Sequence, residues 1–303
     1  MSQLDEVAIV MASYNGEKYI SAQIDSILNQ SYKNIRLFIR DDNSTDTTHD
    51  IIREYVKKDK RVTDISDGKK IGVPDSFYEC LREIDGYKYY AFADQDDLWN
   101  NDKIERAVKT LDKTDTAIPQ LYFADYDYVD NYGKVIRKSS DQSGKINKYL
   151  CIYNSLSSGF MLVFNDALKN IATPEKGQGL YEYHDRRFIR VAELFGCISY
   201  DNKVTAHHIR HQNAVTAGNS TNSSLMKNFF KNELMGVNAK NEKRGLAEFY
   251  TEYKARLSDS DRKMFEVFVG KGNYLKKLFY PHRLRRRLAG EAALRMLFLS
   301  GKV

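Results

Sequence analysis

Cysteine, proline and long apolar runs are scarce in this 303-residue chain, and each scarcity excludes something. The three cysteines, Cys80, Cys151 and Cys197, are odd in number, widely spaced and never in a C-x-x-C pair. A disulfide scaffold or zinc ribbon is therefore not the organising device, and a reducing cytosol is the expected compartment. With 4 prolines and 17 glycines, no long flexible linker is expected. The longest apolar runs, such as residues 7–12, are far shorter than the ~20 residues that span a bilayer, so no membrane crossing is expected. Residues 1–6 carry two acids and no basic stretch, unlike a secretory signal.

What is present is a soluble globular composition, 42% hydrophobic and 29% charged. The length suits one large domain, or one domain with an appendage, and can bury a core without metal staples. The net charge of +6 is unevenly shared. Residues 1–220 hold 29 Lys+Arg and 33 Asp+Glu, whereas residues 221–303 hold 18 and 8. The two parts are expected to meet different partners.

Over the first 130 residues, short β-rich runs alternate with amphipathic helical stretches. Residues 7–11 read as a buried strand, 35–39 as a second strand, 61–66 as a weaker one and 89–93 as another buried one. Helical patterns fall at 17–30, after residue 46, at 76–84 and at 101–111. This alternation predicts right-handed crossovers onto a parallel sheet, where ligands gather at the carboxyl ends of strands. Residues 122–129 and 134–137 predict a hairpin, 158–164 another buried strand, 184–194 a helix and 198–209 a strand-rich stretch. From residue 225 the chain reads as helical and basic.

Asp94-Gln95-Asp96-Asp97 follows a buried strand. Its three carboxylates repel one another unless a cation sits among them, and hard oxygen ligands suit Mg²⁺ or Mn²⁺. The alternative is a solvated loop capping the next helix. Asp41 and Asp42 open Asp-Asp-Asn-Ser-Thr-Asp46, which reads as a helix cap or as carboxylate acceptors for the imide N–H of uracil or thymine. The loop Ala12-Ser13-Tyr14-Asn15-Gly16 turns tightly and offers Tyr14 for stacking on a base. Lys69 and Lys70 offer cations for a diphosphate.

In order, residues 7–16, 39–46 and 92–99 resemble the opening of a family 2 glycosyltransferase, and the resemblance extends to about residue 220. It implies the GT-A fold, a nucleotide-binding α/β arrangement with a mainly parallel central sheet flanked by helices. The Asp-Gln-Asp-Asp-Leu-Trp99 version is similar to bacterial rhamnosyltransferases of cell-wall and capsular polysaccharide synthesis. The resemblance implies that Ala12, Tyr14, Asp41, Asp42, Lys70, Asp94 and Gln95 line the nucleotide-sugar site. Asp94 and Asp96 serve the metal in this reading, with Asp96 the direct ligand. Gly159, in Ser157-Ser-Gly-Phe160, resembles the acceptor-side strand. Tyr183-His184-Asp185 resembles the segment carrying the catalytic base, which assigns that role to Asp185 and places His184 on the acceptor side. This chain reads His184-Asp-Arg-Arg187 where such enzymes commonly read His-Asp-Trp-Trp. Of the histidines at 207, 208 and 211, His211 is the chosen metal ligand and His208 the alternative.

The expected activity is inverting, metal-dependent transfer of a sugar, with dTDP-L-rhamnose the favoured donor and a UDP-hexose the alternative. The acceptor is a hydroxyl of a polysaccharide or polyprenyl-linked glycan. Residues 1–220 form the expected catalytic domain, its nucleotide-sugar half near 1–130 and its acceptor half near 131–220. Residues 221–303 form a basic helical region. Within it, residues 271–290 carry seven Lys or Arg and no acid, interleaved with aromatic and aliphatic side chains. That pattern fits a helix lying on an anionic membrane surface, at the cytoplasmic face, or a helical subdomain packed on the catalytic domain or on a second copy. No nucleic-acid motif is present. A non-catalytic nucleotide-sugar-binding protein is the reading from another class.

Overall fold

The computed structural model describes residues 6–139, 146–175, 182–210, 237–270, 272–286 and 288–299, with the side chains of 237–240 left aside. They fall into two compact units, one within residues 1–145, 157–178 and 191–211, the other within 146–156, 179–190 and 212–303.

The first unit is built on a mixed sheet. Its founding strand β1 (Val7–Ser13) is buried at every position but Ala12, as expected of a strand covered on both faces. It pairs in parallel with β2 (Ile35–Asp41) and with β4 (Tyr89–Asp94), and β2 pairs in parallel with β3 (Val62–Asp64). The crossovers are α1 (Ile20–Leu28), α2 (Thr48–Lys58) and α3 (Asp75–Glu83). On α1, Ile20, Ile24 and Ile27 are buried, the one-face spacing of an amphipathic helix. Each such side chain contributes roughly 1.5–3 kcal/mol by leaving water.

Beyond β4 the sheet changes character. The short strand β5 (Asp97–Trp99) leads to α4 (Lys103–Leu111), β6 (Gln120–Val129) and β7 (Val135–Lys138). Then come β8 (Val163–Asn165), α5 (Asp166–Ala172), α6 (His184–Phe195) and the long β9 (Cys197–Ile209). The order is β3-β2-β1-β4-β8-β6-β9-β5, with β7 pairing with the C-terminal end of β6, past β8. β8 runs antiparallel to β4 and β6, and β5 antiparallel to β9, so the expected parallel character holds for β3 through β4 and for β6 with β9. The strand expected at 158–164 is broken. Gly159–Met161 forms a 3₁₀ turn, and pairing starts only at Val163.

In the second unit, α7 (Val237–Tyr253), α8 (Asp259–Val269), α9 (Tyr274–Leu278) and α10 (Leu288–Leu299) follow one another. Phe249 stacks on Phe265 at 5.5 Å, and Phe298 packs against Tyr153 and Phe268. Ala293, Leu294, Leu297 and Phe298 are buried at i, i+1, i+4 and i+5, so most of the apolar face of α10 belongs to a core rather than to a membrane interface. No described helix is long and apolar enough to cross a membrane.

Candidate active site

The parallel register brings the carboxyl ends of three strands level. Ala12 lies opposite both Arg40 and Asp94, and Ser13 opposite Asp41. The loops leaving these ends are then tied together by side chains.

The loop after β1 is held from both sides. Gln95 accepts from the Tyr14 amide at 2.9 Å and donates to the Tyr14 carbonyl at 3.0 Å. A Cβ on Gly16 would sit 2.2 Å from the Gln95 amide oxygen, so a side chain there would have to push the Gln95 amide away from Tyr14. On the other side, the Asn15 and Gly16 amides donate to Ser44 Oγ and Thr48 Oγ1. Asn15 and Asn43 both adopt positive φ, which asparagine tolerates better than most residues.

Asp41 and Asp42 are both buried. Asp41 accepts from the Ser44 amide, the Ser44 hydroxyl and the Ser13 hydroxyl. Asp42 accepts from the amides of Ile71 at 2.7 Å and Gly72 at 2.9 Å and from Ser76 Oγ at 3.1 Å. The loop at 67–72 is pinned again by buried Arg40, which bonds Asp67 at 2.7 Å and the Lys69 carbonyl at 3.0 Å. Arg40 also holds the Asp67 carboxyl below its usual range. Lys70 Nζ rests 3.6 Å from the centre of the Tyr14 ring, covering a face that sequence reasoning had reserved for a base.

The three carboxylates of the second acidic turn separate in function. Asp97 is fully buried and bonds His208 Nδ1 at 2.7 Å, a link made because β5 pairs with β9. Burial pushes the Asp97 carboxyl up to about 6, against the pull of His208. Burial alone would lower the His208 imidazole, but the bond to Asp97 and the charges of Asp96 and Asp94 carry it above its ordinary value. Buried Lys103, brought down to about 7 by desolvation, donates to the Met161 carbonyl at 3.3 Å. With Asp97 on His208, the turn offers Asp94 and Asp96 as hard oxygen donors. Two carboxylates fit Mg²⁺ or Mn²⁺, which usually complete their shell with substrate phosphates and water. Among the described residues there is no cluster of three or more His, Cys, Asp or Glu that could hold a metal. His211 lies outside the described residues, and the alternative, His208, is the partner of Asp97.

Gly159 is buried in the 3₁₀ turn, beside Ser158, whose hydroxyl lies 3.2 Å from that of Tyr126. In the second unit, Asp185 stands in the first turn of α6 and accepts from Ser155 Oγ at 3.2 Å. Its neighbour His184 is buried, which lowers its imidazole to about 4. The arginines that replace the expected tryptophans have partners on α7. Arg186 bonds Glu242 at 2.7 Å, and fully buried Arg187 bonds Glu252 and the Tyr253 hydroxyl. Sequence reasoning missed the Asp97–His208 and Arg40–Asp67 bonds, because nothing local signals a partner 111 or 27 residues away.

The family model described as "Glycosyl transferase family 2" matches residues 8–171. Among curated proteins, the dTDP-rhamnosyl transferase RfbG of Shigella flexneri is 40% identical over 105 residues, 33% of this chain and 36% of the relative. The UDP-Glc:alpha-D-GlcNAc-diphosphoundecaprenol beta-1,3-glucosyltransferase WfaP of Escherichia coli is 30% identical over 172 residues, 56% of this chain and 65% of the relative. The matched stretches thus span from about a third to just under two thirds of these relatives. Among solved structures, S. aureus TarS 1–349 superposes with a TM-score of 0.62 at 17% identity, covering 98% of this chain and 80% of that one, a likeness of fold.

Proposed function

The chain belongs to glycosyl transferase family 2, and from that premise we propose that it moves a sugar from a nucleotide-diphosphate donor onto a hydroxyl of a glycan or lipid-linked glycan. The observation that carries the reading is the joined rim of β1, β2 and β4. There the Tyr14–Gln95 amide pair and the Asp42-anchored loop at 67–72 present Tyr14, Lys70, Asp94 and Asp96 from one set of strand ends.

A carboxylate has about four acceptor positions. Asp42 has three taken within the protein, leaving room for one further donor, whereas Asp41 has three and also faces His49 Nδ1 at 4.0 Å. One donor is what the imide of uracil or thymine offers, which favours a UDP- or dTDP-sugar. The RfbG likeness favours dTDP-L-rhamnose, and the WfaP likeness favours a UDP-hexose as the second reading.

Asp94 and Asp96 would hold Mn²⁺ or Mg²⁺, with His211 as the proposed further ligand. The ion, when bound, neutralises negative charge on the departing diphosphate. Lys70 adds a cation to the same task. Asp185 is the proposed general base, taking the proton from the acceptor hydroxyl as it attacks the anomeric carbon with inversion. Gly159 and His184 belong to the acceptor side in this reading.

The second unit supports peripheral attachment to an anionic membrane surface at the cytoplasmic face. Leu275 and Phe279 of the α9 segment are 68% and 76% exposed, beside exposed Lys276 and Arg283. A thermal-shift screen of the full chain with UDP- and dTDP-sugars, with and without Mn²⁺ or Mg²⁺, tests the central reading, since a ligand bound only by the folded state raises stability. A metal-dependent rise with one nucleotide class is the expected result. No rise with any nucleotide sugar would overturn it.

A further inference from the structure

One row of side chains crosses four strands of the first unit. Tyr128 on β6 lies opposite Arg137 on β7 and His208 on β9, and His208 lies opposite Asp97 on β5. Cross-strand partners share a face of the sheet, so the row reads guanidinium, phenol, imidazole, carboxylate. The contacts agree. The Arg137 guanidinium carbon is 3.9 Å from the centre of the Tyr128 ring, and that ring meets His208 edge-on at 5.5 Å. His208 Nδ1 then lies 2.7 Å from Asp97. Arg210, two residues past His208 and so on the same face, approaches Tyr128 at 5.6 Å. Tyr126, two residues before Tyr128, hydrogen-bonds its hydroxyl at 2.9 Å and reaches Ser158 beside Gly159.

The row therefore leaves the acidic turn and ends in two cations. Neither Arg137 nor Arg210 has a carboxylate partner among the described residues, and the whole of β7 is exposed. The Arg137 backbone stands three strand spacings, about 14 Å, from the Asp97 column, and its guanidinium lies over Tyr128, with His208 between that ring and Asp97. Guanidinium forks match phosphate and carboxylate oxygens. We infer that this row is an acceptor platform, and that the acceptor carries an anionic group, a phosphate or a carboxylate, gripped by Arg137 and Arg210 while the Tyr126, Tyr128 and Ser158 hydroxyls meet the sugar. The inference rests on the glycosyltransferase reading and names the acceptor class within it.

The test is binding of the full chain to immobilised poly(glycerol phosphate), polygalacturonate and dextran, alongside Arg137→Gln and the control pair Lys276→Gln with Arg283→Gln. The platform predicts binding to at least one anionic polymer roughly tenfold tighter than to dextran and weakened by salt. The preferred polymer identifies the anion as phosphodiester or carboxylate. Arg137→Gln is expected to lose about fivefold or more of that binding, with an unchanged circular-dichroism spectrum and an unchanged thermal shift by UDP. Equal binding of all three polymers would overturn the inference. So would a loss confined to the Lys276/Arg283 pair, which moves the anion site to the basic helices, or a weakened UDP shift in Arg137→Gln, which moves Arg137 to the donor. A chain that binds the anionic polymer through Arg137 but no nucleotide would refute the donor reading while leaving the anion site in place.

Discussion

Two acidic turns follow two parallel strands, and they use their carboxylates differently. After β2, Asp41 and Asp42 collect amides and hydroxyls of the protein, so this turn holds its neighbours in place. After β4 the turn is itself held, by Tyr14 through Gln95 and by His208 through Asp97. Identical residue types thus build a wall in one place and are presented by a clamp in the other. The number and kind of donors around each carboxylate decide which. Asp185, in the second unit, extends the contrast. It bonds the single hydroxyl of Ser155 and the adjacent Arg186 amide.

The contrast breaks most sharply at Asp185. Asp185→Asn is expected to lower transfer by about 10²–10⁴-fold while donor affinity stays the same, because a general base acts only on the reacting proton. Near wild-type turnover of the purified variant would remove the assignment. At the wall, Asp42→Ala leaves the Ile71 and Gly72 amides without their acceptor. It is expected to cost about 2–4 kcal/mol in urea unfolding and to weaken donor binding as the loop at 67–72 loosens. A change under about 0.5 kcal/mol would show that the wall does not depend on this carboxylate.

The clamp is sharpened by a double mutant. Gly16→Ala drives a methyl into the Gln95 amide and is expected to destabilise by about 1–3 kcal/mol. In a Gln95→Ser background the same substitution should cost much less, and purely additive penalties would rule out the steric account.

A further effect concerns pH. His184 has its pKa lowered from 6.5 to about 4 by burial. Between those values the unfolded chain binds a proton that the folded chain refuses. Stability should therefore decline as pH falls through this window, by up to about 1.4 kcal/mol per pH unit from this group. His184→Gln should flatten the decline measured by chemical denaturation at pH 7, 6 and 5. An equal slope in the variant would assign the acid sensitivity to other groups.

Much of the first unit was legible in the sequence because its strands are continuous apolar runs with punctuated ends. Val7-Ala-Ile-Val-Met11 and Tyr89-Tyr-Ala-Phe-Ala93 are strands in the structure, each leading to the expected loop. Ser158 to Phe164 looked just as continuous, yet the glycine and its neighbours coil into a 3₁₀ turn. Apolar runs of that length report burial and not backbone conformation. The paired tyrosines, Arg137 and His208 could not be brought together on paper, since strand pairing across dozens of residues has no local signature. The basic C-terminal stretch misled in part. The apolar residues of α10 match an interfacial helix in composition, and only packing against Tyr153 and Phe268 shows where most of them go.

The adjacent arginines of α6 have a mechanical consequence. Arg186 and Arg187 are neighbours, but their partners Glu242 and Glu252 lie ten residues apart on α7, about 15 Å along its axis. Held at two such distant points, α7 resists pivoting against the first turn of α6. In its proposed role as general base, Asp185, just upstream of both ties, would have less rotational freedom left to lose when an acceptor binds.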